Sequence, residues 1–343
     1  MNNGIERRKL RISKLHMMNF QTAILMVSFA VTIVLALIII PILKRIKVGQ
    51  IEREDGPKSH LKKQGTPTMG GIIFILGIII CTVISYFYYK KIGEIELANK
   101  LIPMLLLTIG FGAVGFVDDF KKLVLKNTKG LNPTYKMIGL FLISLIYVIF
   151  MLKFSNHRTE IIIPIWKKEI ILPLYIYIPF AVLVILATTN AVNLTDGVDG
   201  LSSSVCSIIL ACLTVISIIK IVPLVSIVGS ISVGAVLGFL MFNLHPAKVM
   251  MGDTGSLFLG GLISCIALYL KLPLILIVIA LIPILETLSV MLQVYYYKKT
   301  GNRIFKMAPI HHHFELSGWN ENKVVRVFSV ITLLVCILGL LMV

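Results

Sequence analysis

Ten apolar runs, each long enough to cross a bilayer, constrain this chain more than any other feature. They cover about 20–43, 69–89, 101–117, 136–152, 172–189, 201–219, 222–242, 256–270, 272–297 and 324–343. A helical span needs roughly 20 apolar residues. Hydrocarbon offers no hydrogen bonds, so the backbone of each run must satisfy itself, and that dictates helices. A barrel is excluded, because runs such as Ile33–Ile40 do not alternate. The residue content agrees. It is 57% hydrophobic and only 14% charged, with a mean hydropathy of +0.94. A soluble globule of 343 residues has too little interior for that much apolar surface. The expected fold is therefore an all-α integral membrane protein of ten transmembrane helices. It forms one polytopic domain over 1–343, with a basic N-terminal tail over 1–19.

The first run follows a basic stretch, as a signal peptide would. It is too long for one, and Lys44, Arg45 and Lys47 follow it without a small-residue cleavage site. It is read as an anchor. Segment 154–171 places two β-rich runs around Pro164–Lys168, which predicts a short hairpin. In run 272–297, Pro283 predicts a kink. Glu286, costly in lipid, either bonds a neighbouring helix or walls a polar cavity.

Ten spans put both termini on one side of the membrane. The turns 44–68, 118–135, 190–200, 243–255 and 298–323 then share the opposite face. All six aspartates lie there: Asp55, Asp118, Asp119, Asp196, Asp199 and Asp253. Five of the seven histidines join them: His60, His245, His311, His312 and His313. Unselected loops do not sort acidic residues this way, so this face is where a site is expected. Its loops carry 17 Lys and Arg against 14 on the other side, which places it in the cytoplasm and both termini outside.

The formal charge of +17 is mostly juxtamembrane Lys and Arg facing anionic headgroups, and no nucleic-acid partner is expected. Five cysteines, all inside apolar runs, show neither metal-ligand spacing nor a disulfide framework.

The chemistry-bearing residues fall in five short motifs. GFVDDFKK ends the third run with Asp118 and Asp119. Neighbours on a helix point about 100° apart, so the pair need not share a ligand. Two solvated loop carboxylates are the plain alternative; a hard-cation site or a base is the functional one. NAVNLTDGVDG sets Asn190, Asn193, Asp196 and Asp199 in a turn without Lys or Arg. In NLHPAKVMMGDTGS, Asp253 precedes an apolar run. It either caps that helix or works beside backbone N–H groups that bind phosphate. His311, His312 and His313, followed by Glu315, suit phosphate contact, acid–base work or metal binding. Zinc is disfavoured, since spaced His and Cys partners are missing. Lys58, His60, Lys62 and Lys63 precede GTPTMGG, and Lys121, Lys122, Lys126, Lys129 and Lys136 surround the loop after Asp119. Both sets can contact lipid headgroups or neutralise a diphosphate. GTPTMGG lacks the Gly-Lys-Ser/Thr ending of a P-loop.

SHLKKQGTPTMGG, GFVDD, NAVNLTDGVDGL, MGDTGSL and APIHHHFE, in that order, resemble the phospho-N-acetylmuramoyl-pentapeptide transferases of bacterial cell-wall synthesis. These belong to the polyprenyl-phosphate N-acetylhexosamine-1-phosphate transferases, and the likeness covers roughly 20–343. Relatives that transfer N-acetylglucosamine phosphate share the aspartates and are the alternative; the unbroken histidine triplet favours the muramoyl enzymes. Two positions depart from the pattern. Met250 stands where an aromatic residue commonly stacks on uracil, and Met241 where Trp is common.

The resemblance implies a multi-pass homodimer in the bacterial cytoplasmic membrane, facing the cytoplasm, with Mg²⁺ as cofactor. It implies transfer from UDP-N-acetylmuramoyl-pentapeptide to undecaprenyl phosphate, giving lipid I and UMP. Asp118, Asp119, Asp253, His312 and His313 are then the catalytic set, with Asp253 on the metal. Lys63, Thr68, Lys122, Asn190, Asn193, Asp196, Asp199, Met250 and His311 are the substrate contacts. A transporter or a membrane scaffold are the competing classes. Transporter sites lie near the midplane, however, and a scaffold has no need of one-sided aspartates.

Overall fold

The structure is a computed structural model that describes residues 2–46, 65–123, 130–154 and 158–343, with side chains from residue 18 onward. Lys63 and most of its basic segment lie outside the described residues, as does Lys129. Among the described residues, nine helices are long and apolar enough to span a bilayer, and a sharply bent helix pair brings the count of candidate spans up to ten. The helices are α1 (Asn2–Arg45), α2 (Gly71–Lys91), α3 (Ile95–Leu123), α4 (Pro133–Phe154) and α5 (Leu174–Thr195), then α6 (Leu201–Ile219), α7 (Pro223–Asn243) and α8 (Gly252–Tyr269). After a short 3₁₀ turn come α9 (Leu276–Ile279), α10 (Leu281–Thr300), α11 (Ile310–Glu315) and α12 (Glu321–Leu341).

Burial divides the helices into a centre and a rim. In α7 and α8, 83% of the most apolar stretch is enclosed by protein; in α1 and α4 only 28% is. Helices of equal apolarity have little hydrophobic reason to associate in lipid, so close approach depends on small residues. Gly71 and Gly115 supply it. A Cβ on Gly71 would lie 2.4 Å from the Gly255 Cα, and one on Gly115 would lie 2.1 Å from the Asp253 carbonyl oxygen. These contacts press α2 and α3 against the first turn of α8. The segment before α2 adds backbone bonds: Met250 N–H donates to Pro67 O at 2.7 Å, and Gly70 N–H donates to Met250 O at 2.9 Å.

The expected hairpin forms. Strands β1 (Glu160–Ile163) and β2 (Lys168–Ile171) pair antiparallel, with Glu160 opposite Ile171. Ile162 N–H donates to Lys271 O at 2.8 Å, and Lys271 also pairs with Glu160, so the hairpin is fastened beyond the far end of α8.

The ninth run differs from the single kinked helix that Pro283 suggests. α10 leaves the axis of the preceding turn at 80°. The break falls at Ala280, which has non-helical φ −100° and ψ 29°. Pro283 cannot donate to the Ile279 carbonyl four residues back, so the helix cannot run through; it restarts with Pro283 in its first turn, where no donor is required. Cys336 Sγ lies 4.0 Å from that Ile279 oxygen. Between α5 on one side and α9 and α10 on the other, the bend leaves a cavity of about 590 Å³. Its walls are almost wholly apolar and include Leu183, Ala187, Ile277, Ile284, Leu288 and Met291.

Candidate active site

The aspartate-bearing turns converge at the N-terminus of α8. α3 runs past its apolar stretch to Leu123, so Asp118 and Asp119 sit on its last turns rather than in a loop. Both are buried, at 2% and 4% exposure. Helical spacing sets Lys122 one turn beyond Asp118, and its Nζ lies 2.7 Å from Asp118 Oδ2. The same ammonium lies 2.9 Å from Asp253 Oδ2. Lys136, near the start of α4, bridges the same two carboxylates at 3.0 Å (Asp253) and 3.5 Å (Asp118). Asp118 Oδ1 also accepts from Leu131 N–H at 2.6 Å. From α5, Asn193 donates through Nδ2 to Asp253 Oδ1 at 2.8 Å and to Ser256 Oγ at 2.9 Å.

Asp119 turns the other way. Its carboxylate accepts from Asp253 N–H at 3.2 Å, Thr254 N–H at 2.8 Å and Thr254 Oγ1 at 2.6 Å. These are the unpaired donors and positive dipole end of a helix start, capped here by a residue from another helix. Gly252, at φ +75°, makes room: a Cβ there would lie 2.7 Å from Asp119 Oδ2 and 3.0 Å from Thr68 Oγ1. Thr68 is thus brought to the site from the GTPTMGG segment, with the Met69 N–H beside it.

Asp196 accepts from the Gly252 N–H, and its carboxyl is pushed up to about 8. Burial is the main cause; the charges of Asp253, Asp119 and Asp199 add to it, and the Gly252 bond partly offsets them. Asp199 lies on the far side of the same turn. Its Oδ2 is 3.0 Å from His245 Nδ1 and accepts from Ala247 N–H at 3.1 Å. Glu321, opening α12, stands 3.6 Å from His245 Nδ1. Asp199, His245 and Glu321 are also the group of metal-ligand type found among the described residues. It is separate from the lysine-bridged pair.

The histidine triplet is split. His312 Nδ1 is 2.8 Å from Glu315 Oε2. His313 Nδ1 accepts from Lys306 N–H at 3.1 Å, which leaves the proton of a neutral ring on Nε2. Both rings are partly exposed. His311 is fully buried, 3.0 Å from the equally buried Glu286. Glu286 therefore bonds a neighbouring helix rather than walling a polar cavity. Met250, expected at the substrate, is only 5% exposed. Asn190 stands one turn below Asn193, in the wall of the apolar cavity, and donates to Leu186 O at 2.7 Å.

Sequence reasoning left Lys136, Ser256, Thr254, His245 and Glu321 out of the site set. Lys136 was visible as one basic residue among several. The others become readable only once α8, α12 and the 244–251 turn are placed in space.

A lysine-bridged pair of carboxylates beside an apolar cavity, in a polytopic helical protein, is an arrangement suited to bringing a charged group and a lipid chain together. Residues 101–271 match the profile described as Glycosyl transferase family 4. Residues 63–75 match the Phospho-N-acetylmuramoyl-pentapeptide-transferase signature 1. A phospho-N-acetylmuramoyl-pentapeptide-transferase of Acetivibrio thermocellus is 45% identical over 92% of this chain and 93% of its own length. Proteins of the same name from Clostridium botulinum (47% identical; 92% of this chain, 94% of the relative) and Caldicellulosiruptor bescii (44%; 93% and 96%) are similar over the same extent. The chain belongs to the phospho-N-acetylmuramoyl-pentapeptide-transferase family.

Proposed function

We propose that this protein transfers phospho-N-acetylmuramoyl-pentapeptide from its UDP donor to undecaprenyl phosphate, releasing UMP and leaving lipid I in the bacterial cytoplasmic membrane. The observation that carries the reading is the meeting of two chemistries. Asn193, bonded to Asp253, lies one turn above Asn190 in the wall of the apolar cavity. A long prenyl chain fits such a wall, and its phosphate then reaches the lysine-bridged carboxylates.

An acceptor phosphate oxygen attacks the sugar-bearing phosphorus of the donor. The bond to the bridging oxygen breaks, and UMP leaves with that electron pair. Two anions must approach, so positive charge has to offset their repulsion. Lys122 and Lys136 are suited to it, as flexible point charges already poised at the site. Asp118 is the residue assigned to engage or deprotonate the acceptor phosphate. That phosphate, with a second pKa near ~6, is largely dianionic at neutral pH. His312 and His313 are assigned to donor phosphate or sugar. Asn193, Asp196 and Asp199, with Thr68 and Lys63, are assigned to the nucleotide side. The motif turns face the cytoplasm in this reading, and residues 1–343 act as one transferase domain in a homodimer.

The donor set fits a Mg²⁺ ion. Asp118 and Asp253 are hard oxygen ligands, and two ammonium groups already bridge them, so the pair accommodates a charge of +2. Asp253 is the first choice of ligand, and Asp118 stands beside it. Such an ion would polarise phosphate oxygens and neutralise charge on the leaving group. Lysines released from the carboxylates would then be free to contact the diphosphate.

UMP release from lipid vesicles tests the reading, with the muramoyl-pentapeptide donor set against UDP-N-acetylglucosamine. Release with the first donor is expected; release with the second alone would overturn it. A stoichiometric UMP burst without acceptor lipid, abolished by Asp118→Asn, would replace direct attack with a covalent aspartyl route.

A further inference from the structure

The Glu286–His311 pair lies outside the chemistry just described, yet both side chains are 0% exposed. Glu286 Oε2 stands 3.0 Å from His311 Nδ1, close enough for an ion pair though not aligned as a hydrogen bond. The same oxygen accepts from the His311 backbone N–H at 3.4 Å. A six-residue helix such as α11 has almost no stability of its own, so it depends on such anchors. An apolar pair would hold α11 to α10 as well, but would not fix the direction of the ring.

The direction of the ring matters because of what lies on its other side. A Cβ on Gly197 would sit 2.2 Å from His311 Nε2 and 2.7 Å from Cε1, so the imidazole is packed directly on the Gly197 backbone. Gly197 follows Asp196, whose carboxylate holds the Gly252 N–H beside Asp253. A continuous line of contacts therefore runs from α10 through Glu286, His311, Gly197 and Asp196 to the start of α8. The His312 ring lies 4.1 Å from that of His311, centroid to centroid, so the line also touches a partly exposed histidine of the site.

We propose that Glu286 and His311 form a buried strut that sets the Gly197 turn, and with it Asp196, against α8; both are positioning residues for the nucleotide donor. This rests on the reading that the Asn193–Asp199 turn faces the nucleotide. A displaced turn loses the contacts it was placed to make with its own ligand, so the strut should appear in donor binding and not in the acceptor.

Three variants in vesicles test it: Glu286→Gln, which keeps the shape and replaces the carboxyl with an amide; Gly197→Ala, which pushes on the ring from the other side; and the double variant. Each single change should raise the donor KM about tenfold, while the acceptor KM and the kcat at saturating donor stay within about twofold. Because both act on one strut, the double variant should be no worse than the worse single one. Equal shifts in both KM values, a fall in kcat alone, or additive losses would overturn the strut. Should Glu286→Gln lower the yield of folded protein, Gly197→Ala carries the kinetic test by itself. Hydrogen exchange over 194–200 provides a readout that needs no turnover. It should quicken in Glu286→Gln, and unchanged protection there overturns the proposal. Failure of the functional reading looks different: the unaltered protein would release no UMP.

Discussion

Asp118 and Asp119 are joined by one peptide bond, yet they serve two unlike regions. On the Asp118 side one oxygen is held by the Leu131 N–H, while the other meets ammonium groups on long, rotatable stems, and the Lys122 side chain is 37% exposed. On the Asp119 side the donors are two backbone N–H groups and a buried threonine hydroxyl, all fixed by the start of α8. Ammonium partners can be exchanged for a metal or a phosphate; backbone partners cannot. Under the proposed function, the same carboxylate chemistry equips one region to receive a ligand, while the other holds the start of α8.

The sharpest way to break this contrast is on the ligand side. Asp253→Asn should lower turnover by roughly a hundredfold or more, as loss of a key charge-stabilising group does. Excess Mg²⁺ should recover part of it. A full loss that no Mg²⁺ concentration relieves would move the metal elsewhere. Asp118→Asn should fall next. Donor and Mg²⁺ binding should persist by calorimetry while the rate drops, least at high pH, where the acceptor phosphate (second pKa near ~6) is fully ionised. A uniform loss across pH would remove Asp118 from the proton's path.

On the structural side the effects move from rate to stability. Asp119→Asn places an amide donor among three donors. It should cost about 1–3 kcal/mol of stability, seen as a lower melting temperature in detergent. An unaltered melting temperature with normal expression would mean that the α8 cap is dispensable.

A pH-dependent effect concerns Asp196, and its sign can be stated. Its folded pKa of about 8 stands above its ordinary value of 3.8, so the folded state holds the proton more tightly. Stability linked to this group is complete below 3.8, falls as pH rises, and is lost once pH passes about 8. Asp196→Asn removes the linkage. The variant should gain on the unaltered protein from pH 5 to about 8, with no further gain above that. Parallel melting curves across this range would mean that Asp196 is ionised throughout.

Most of the fold could be read from the sequence, because lipid leaves the backbone no option but helices and the runs state their own lengths. The one-sided aspartates followed from counting spans. What could not be read was partnership between distant segments. Asp118 and Asp119 look equivalent in GFVDD; only the position of α8 separates them. The triplet at 311–313 looks uniform, but Glu286 and Gly197 bury its first member and leave the others at the surface. Met250 has a backbone role, pairing with Pro67 and Gly70, that side-chain chemistry does not reveal. Pro283 announced a distortion but not its place, because the missing hydrogen bond acts four residues upstream.

The bend at Ala280 has a further consequence. Under the proposed function the prenyl chain lies in the cavity that the bend leaves, and the product stays in the membrane when UMP departs into water. Acceptor and product then arrive and leave sideways, as passengers of a two-dimensional fluid. The quantity governing saturation by acceptor is its mole fraction in the bilayer. Diluting vesicles in buffer should leave acceptor saturation untouched, whereas diluting the acceptor with inert lipid should starve the reaction.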